Sequence, residues 1–218
     1  MKSHDNIPVK LLDWYKYNKQ EMPWRDDKNI YHIWLSEIML QQTQIATVIP
    51  YYTKWLKKLP TIHAVANATE DEVLKLWEGL GYYSRALNFH NACKTIIKLY
   101  DGNVPKEKNE FLALKGVGKY IDAAVRSIGY NDVVPTIDGN VNRVISRLLC
   151  LNKPPQKEYN KIYDFLINII DFEYPGDFNQ AMMDLGRNIC KPKNPSCKRC
   201  PISSNCLAYG RGKIEEYP

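Results

Sequence analysis

The sequence predicts an all-α protein, and three observations carry that expectation. Nearly every apolar periodicity along the chain has the helical spacing of three to four residues. Helix-start and helix-stop residues punctuate it, among them a Thr69-x-x-Glu72 capping box and the terminating Pro23 and Pro60. The β-like stretch Asp132-Val133-Val134-Pro135 is too short and broken to support a strand.

Taken in order, residues 6–23 read as a first helix with the stripe Ile7, Leu11, Leu12, Trp14 and Tyr15. Trp24 to Lys28 is a polar connection. A second helix spans Tyr31 to Gln44, where Ile33, Trp34, Ile38 and Leu40 surround one carboxylate, Glu37. A third covers Ala46 to Leu59, with Pro50 near its start. The capping box opens a fourth through Val73, Leu74, Leu76 and Trp77, ended by Gly79-Leu80-Gly81. Tyr82-Tyr83-Ser84-Arg85 leads into the next, through Leu87, Phe89, Ala92 and Ile96, and Asp101 to Pro105 is a turn. Helix-forming sequence flanks Gly116-Val117-Gly118 on both sides, from Glu110 to Leu114 and from Tyr120 to Ser127, and Ile121 to Ile128 reads as the following helix. Asn140 to Leu149 is helical, Lys153-Pro154-Pro155 interrupts, and helices follow at about 158–171 and 178–188.

With 218 residues, 44% hydrophobic and 25% charged, the chain has the composition of a globular protein. The net charge of +6 suits a polyanionic partner without establishing one. The first residues precede no long apolar run, and no apolar run approaches the length of a membrane span. These features imply a soluble intracellular protein.

Six cysteines are the informative part of the composition. Cys93 and Cys150 stand alone in apolar surroundings and read as small buried hydrophobes. The others form Cys190-x6-Cys197-x2-Cys200-x5-Cys206. Without a secretory signal, disulfides are disfavoured and metal coordination is left. A [4Fe–4S] cluster takes four cysteines, and so does structural zinc; a single short pair favours the cluster. Lys191, Lys193, Lys198 and Arg199 make this loop basic, which suits either phosphate contact or plain solvation.

Two features carry candidate chemistry. Gly116 and Gly118 permit a tight turn with positive φ and close backbone approach, and the following helix would point its first amides outward at an anion. Taken alone, such a pair of glycines more often simply joins two helices. Glu37, if buried among its apolar neighbours, would have the raised pKa of a general acid, and Asp138 opens a helix where an ionised carboxylate is stabilised. Two carboxylates in contrasting environments are what cleavage of a sugar C–N or C–O bond uses. A surface glutamate and a plain N-cap remain open readings.

Ser36-Glu37-Ile38-Met39-Leu40-Gln41-Gln42-Thr43-Gln44, Gly79-Leu80-Gly81-Tyr82-Tyr83, Leu114 to Gly118, Ile137-Asp138-Gly139-Asn140-Val141, Phe178 to Gly186 and the four-cysteine loop occur in one order. That order resembles the MutY adenine DNA glycosylases, members of the helix-hairpin-helix superfamily with endonuclease III, from about Leu11 to Cys206. The resemblance implies two lobes with double-stranded DNA between them. Residues 24–130 would form a six-helix barrel carrying the helix-hairpin-helix. Residues 1–23 with 131–218 would carry the catalytic aspartate and a [4Fe–4S] cluster on Cys190, Cys197, Cys200 and Cys206.

It further implies base-excision repair: hydrolysis of the N-glycosidic bond of adenine mispaired with 8-oxoguanine or guanine, by a monomer that meets no membrane. Glu37 would protonate the leaving adenine, and Asp138 would stabilise the sugar cation with Asn140 in support. Tyr120 would lie beside the sugar, where lyases of the superfamily place a nucleophilic lysine; a core aromatic is the open alternative. Lys119 falls one residue too early, so the glycosylase would be monofunctional. Gln41, Gln42 and Tyr82 match the residues that wedge into the base stack, and Thr43 and Leu80 would join them in contacting DNA. Trp24 and Arg25 match the adenine pocket. Gly116, Gly118 and Lys119 would grip phosphates, with Lys115, Arg143 and Arg147 as further candidates beside ordinary surface charge. Typical family members continue into a C-terminal domain that checks for 8-oxoguanine, whereas this sequence stops twelve residues past Cys206. Weaker discrimination, or supply of that domain from elsewhere, is the expectation. The alternatives are a thymine or uracil mismatch glycosylase of the same superfamily, a catalytically silent lesion-binding module, and a zinc-stabilised binding protein.

Overall fold

A computed structural model of the protein describes residues 6–25, 27–154 and 157–217; Asp26 of the polar connection and Pro155 of the proline break lie outside them. The described residues are helical, with no strand among them. In chain order the helices are α1 (Ile7–Asn18), α2 (Ile30–Leu40), α3 (Ile45–Lys58), α4 (Ile62–Asn67), α5 (Glu70–Trp77), α6 (Ser84–Tyr100), α7 (Lys108–Leu112), α8 (Lys119–Gly129), α9 (Gly139–Leu149), α10 (Tyr159–Ile169), α11 (Pro175–Asn188) and α12 (Leu207–Gly210). No helix among the described residues is long and apolar enough to cross a membrane. The chain divides into two compact units, residues 21–130, and residues 1–20 with 131–218.

In the unit of residues 21–130, α2 is the central helix. Eight of its eleven residues are buried, Tyr31 and Ile33 through Met39, so it shows no solvent face. A helix apolar nearly all round is one that neighbours enclose, here α3, α6 and α8. Its aromatic residues anchor the core: Trp34 meets Phe89 and Phe111 edge to face, and Trp55 meets Trp77. Asn29 caps α2 by accepting from the amides of Tyr31 and His32. The capping box at α5 forms both of its reciprocal bonds.

The expected second helix runs four residues too far. α2 stops at Leu40, and Gln42 adopts φ +57°, a left-handed conformation that no helix tolerates. That break puts Gln41, Gln42 and Thr43 in a turn. Similarly, α1 ends at Asn18 because Lys19 turns extended, five residues before Pro23.

In the other unit, α9 is central and packs on α10, α11 and α12, while α1 lies along α11. Its core joins Ile7 and Leu11 of α1 to Val141, Ile145, Phe178 and Leu185. The stretch 132–135 forms no strand: the Val134 amide turns back to the Asp132 carbonyl at 2.9 Å, and the buried Asn179 side chain donates to the Val134 carbonyl and accepts from the Thr136 amide. α11 begins three residues earlier than its apolar pattern indicates, because Pro175 occupies the first turn, where no amide hydrogen is needed.

Candidate active site

Within residues 21–130, Glu37 lies mid-way along the enclosed α2 and is only 6% exposed. The surface-glutamate reading is thereby excluded. Its carboxyl is held by Tyr120, the second residue of α8, whose hydroxyl donates to Glu37 Oε2 at 2.7 Å. Because α2 and α8 pack directly, a residue 83 positions away orients the carboxyl. Tyr120 is half-buried and its ring packs against the core, as the core-aromatic reading expects.

The approach to α8 is a hairpin from α7 through Leu114 to Val117. Gly116 has φ +84°, and a Cβ there would come within 2.8 Å of the Asn88 Cβ, so glycine is required twice over. Gly118 differs: its φ is −103° and a Cβ would meet nothing within 4 Å. It is the N-cap of α8 and offers that helix no side-chain hydrogen bond. Lys115 and Lys119 beside it are exposed.

Trp24 is buried against Tyr52, with ring centroids 5.2 Å apart, and Arg25 is half-buried. Leu80 is buried, and its side chain belongs to the core. Tyr82 is 60% exposed and adopts φ +48°. Gln42 is exposed, and Gln41 and Thr43 are half-buried. Arg85, which the sequence reading used merely to mark a helix start, binds both of these turns at once. It donates to Met39 O and Gln41 O on one side, and to Leu80 O and Gly81 O on the other. A signal was available: a cation in the first turn of a helix opposes the helix dipole and must be held by something else.

In the unit of residues 1–20 and 131–218, Asp138 is indeed the N-cap of α9, with Oδ1 accepting from the Val141 amide at 2.7 Å. Its second oxygen accepts from Asn140 Nδ2 at 2.8 Å. Asn140 is fixed in turn by Arg143, whose guanidinium also donates to the carbonyls of Gly186 and Cys190. Arg147 is 3% exposed and donates to the carbonyls of Lys191 and Pro192. Both arginines therefore donate to internal carbonyls, which neither the phosphate-contact nor the surface-charge reading of them anticipated.

Cys190, Cys197, Cys200 and Cys206 line a single pocket with Val144, Arg147 and Leu148 of α9. None is in a disulfide. Burial pushes the Cys200 thiol up to about 12, against an opposing hydrogen bond from the Ile202 amide. Burial raises Cys197 and Cys206 in the same sense, with the amides of Tyr209 and Ala208 opposing at Cys206. Four convergent sulfurs, backbone amides aimed at two of them and an apolar surround fit an iron–sulfur cluster, whose positive irons would hold the thiols deprotonated. No group of three or more His, Cys, Asp or Glu among the described residues is placed to hold a metal ion as it stands. A four-iron cluster is wider than one ion, so the two observations are compatible. Lys10 and Asn6, at the start of α1, tie down the loop through Ser204 and Asn205. Cys93 is fully buried as expected, whereas Cys150 is half-buried at the C-cap of α9 with φ +55°.

A helical hairpin leading to a tyrosine on a buried glutamate in one unit, and an aspartate-capped helix in the other, define a class. The chain belongs to the HhH-GPD superfamily of base excision DNA repair proteins, whose sequence profile matches residues 35–166. Among curated proteins it is similar to the adenine DNA glycosylase of Rattus norvegicus, 39% identical over 95% of this chain and 43% of the relative. The adenine DNA glycosylase of Buchnera aphidicola subsp. Baizongia pistaciae is 38% identical over 94% of this chain and 58% of its own length. The chain thus spans about half the length of the curated relatives it matches. Among solved structures, a thermostable thymine-DNA glycosylase superposes with a TM-score of 0.85 at 26% identity, covering 94% of this chain and 95% of that one.

Proposed function

We propose that the chain is a MutY-type catalytic core that hydrolyses the N-glycosidic bond of adenine mispaired with 8-oxoguanine or guanine in double-stranded DNA. The observation that carries this reading is the buried Glu37 oriented by Tyr120. A carboxyl enclosed by apolar side chains is suited to pass a proton to a leaving base. As the C–N bond breaks, its electron pair leaves with adenine, which takes the Glu37 proton, and positive charge develops on the sugar. Asp138, oriented by the Val141 amide and Asn140, supplies the negative charge that stabilises that cation. Glu37, now a carboxylate, helps a water add to the anomeric carbon and recovers its proton.

Position 120 offers a phenol engaged with Glu37 rather than an amine, and Lys119 is exposed beside it. The strand is therefore left intact, as in a monofunctional glycosylase. The N-terminus of α8, entered through the Gly116–Gly118 hairpin, grips phosphate through its backbone, which sets register without reading sequence. Gln41, Gln42 and Tyr82 enter the base stack when the adenine leaves it, an extrusion that costs a few kcal/mol. Trp24 and Arg25 line the base pocket, while Thr43 and the Leu80 backbone support the wedge.

Cys190, Cys197, Cys200 and Cys206 would hold the [4Fe–4S] cluster. When bound, it supplies a redox-capable cross-link fixing the loop that Arg143 and Arg147 also hold.

The reading is tested by incubating the purified chain with duplexes bearing adenine, thymine or uracil opposite 8-oxoguanine or guanine, followed by alkali. Alkali-dependent cleavage at adenine alone is expected. Cleavage at thymine or uracil instead would favour the activity named for the 26%-identical solved structure. No cleavage on any duplex, with binding retained, would leave a lesion-binding module.

A further inference from the structure

We propose that Arg85 is a positioning residue that locks the turns 41–43 and 80–82 into one rigid wedge, and that it governs extrusion of the target nucleotide rather than bond cleavage. The inference rests on the glycosylase reading above and deepens it.

The two turns are distant in sequence and each is strained. Gln42 and Tyr82 both adopt positive φ without being glycine, at +57° and +48°. Non-glycine residues in that region cost on the order of 1 kcal/mol or more, and persist where surrounding bonds over-determine them. The Arg85 guanidinium provides those bonds. Nη1 donates to the carbonyls of Ile38 at 2.9 Å, Met39 at 3.0 Å and Gln41, the orphan acceptors at the C-terminal end of α2. Nη2 donates to Thr43 Oγ1 at 3.3 Å, Leu80 O at 3.4 Å and Gly81 O at 3.1 Å. The same planar group lies over Trp77, 5.2 Å from the ring centroid, and over Tyr82 at 5.5 Å.

Three physical consequences follow. A positive charge at the negative end of α2 is stabilising, and it offsets the poor placement of that charge at the start of α6. The planar fork joins acceptors on both turns, which the single ammonium of lysine cannot span together. Tyr82 is exposed at its edge yet stacked on the guanidinium, so its ring is held outward rather than collapsing onto the core. Glu37 lies one residue before Ile38, so the clamp leaves the chemistry in place while fixing what stands next to it.

The test uses the full chain carrying Arg85→Lys, with Thr43→Val as a milder variant that removes one acceptor and keeps the charge. Single-turnover adenine release is compared on two DNAs, one with adenine mispaired in a continuous duplex and one with adenine already unpaired in a bulge. Arg85→Lys is expected to lower the duplex rate on the order of 30- to 100-fold, and the bulge rate by less than about threefold. Thr43→Val is expected to show the same selectivity at smaller amplitude. Amide hydrogen exchange in Arg85→Lys should show residues 41–43 and 80–82 losing protection together. Equal losses on both DNAs, no loss on either, or loosening of one turn alone would overturn the inference. A wild-type chain that releases adenine from neither DNA overturns the glycosylase reading itself, and that arm separates the two failures.

Discussion

The hydroxyl of Tyr120 donates to Oε2 of Glu37 at 2.7 Å, joining the second residue of α8 to the middle of the enclosed α2. This bond makes the carboxyl a positioned group rather than a buried accident. Tyr120→Phe keeps the ring in the core and removes one hydrogen bond to an ionisable partner. Such bonds are worth about 1.5–3 kcal/mol, so single-turnover adenine release should fall about 10- to 100-fold with little change in melting temperature. An unchanged rate would detach Tyr120 from the chemistry.

Gly186 of α11 faces the turn that holds Asp138. A Cβ on it would sit 2.6 Å from the Asn140 Cβ and 3.0 Å from its carbonyl oxygen, and backbone cannot give way cheaply. Gly186→Ala should therefore destabilise the protein by about 1–3 kcal/mol and displace Asn140 from Asp138. Urea unfolding reads the first effect and the single-turnover rate the second. Both are expected to worsen together.

The cysteine pocket makes a compositional prediction. Protein purified without exposure to oxygen should carry about four iron and four sulfide per chain, and Cys200→Ala should carry much less. Stoichiometric zinc in place of iron would show that the pocket holds a different metal.

His90, fully buried in α6, adds a pH dependence. Its Nε2 meets the Ala68 carbonyl at 3.0 Å, and its Nδ1 is buried without a hydrogen-bond partner among the described residues. Burial, with Lys94 nearby, lowers its pKa below the usual value of 6.5. The folded protein thus binds fewer protons there than the unfolded chain. Its contribution is complete above about pH 6.5 and is lost as pH falls toward the depressed folded value, at up to about 1.4 kcal/mol per pH unit. Denaturant unfolding at pH 7.5 and 5.5 should show a smaller difference in His90→Gln than in the wild type. An identical difference would assign the acid sensitivity elsewhere.

Much of this architecture was legible in the residues because helical periodicity and caps are local. The Thr69–Glu72 box, α3, α6, α8 and α9 appear within a residue or two of their expected bounds. Glu37 was legible as a candidate because four apolar neighbours share its helix. The end of α2 was not, since the carbonyls left there are taken by Arg85, 44 positions away from Gln41. Arg143 likewise read as phosphate contact or surface charge, because its acceptors, Gly186 and Cys190, lie on a different segment. Short α4 and α12 were missed because four to six residues give no period to detect. What escaped is what long-range hydrogen bonds decide.

The most direct test of the central claim is single-turnover release of adenine by Glu37→Gln. Glutamine still accepts from Tyr120 but has no carboxyl proton to give. Release from duplex DNA with adenine opposite 8-oxoguanine should fall on the order of a thousandfold, while affinity for that duplex changes little. Release at the wild-type rate would contradict the assignment of Glu37 as the proton donor.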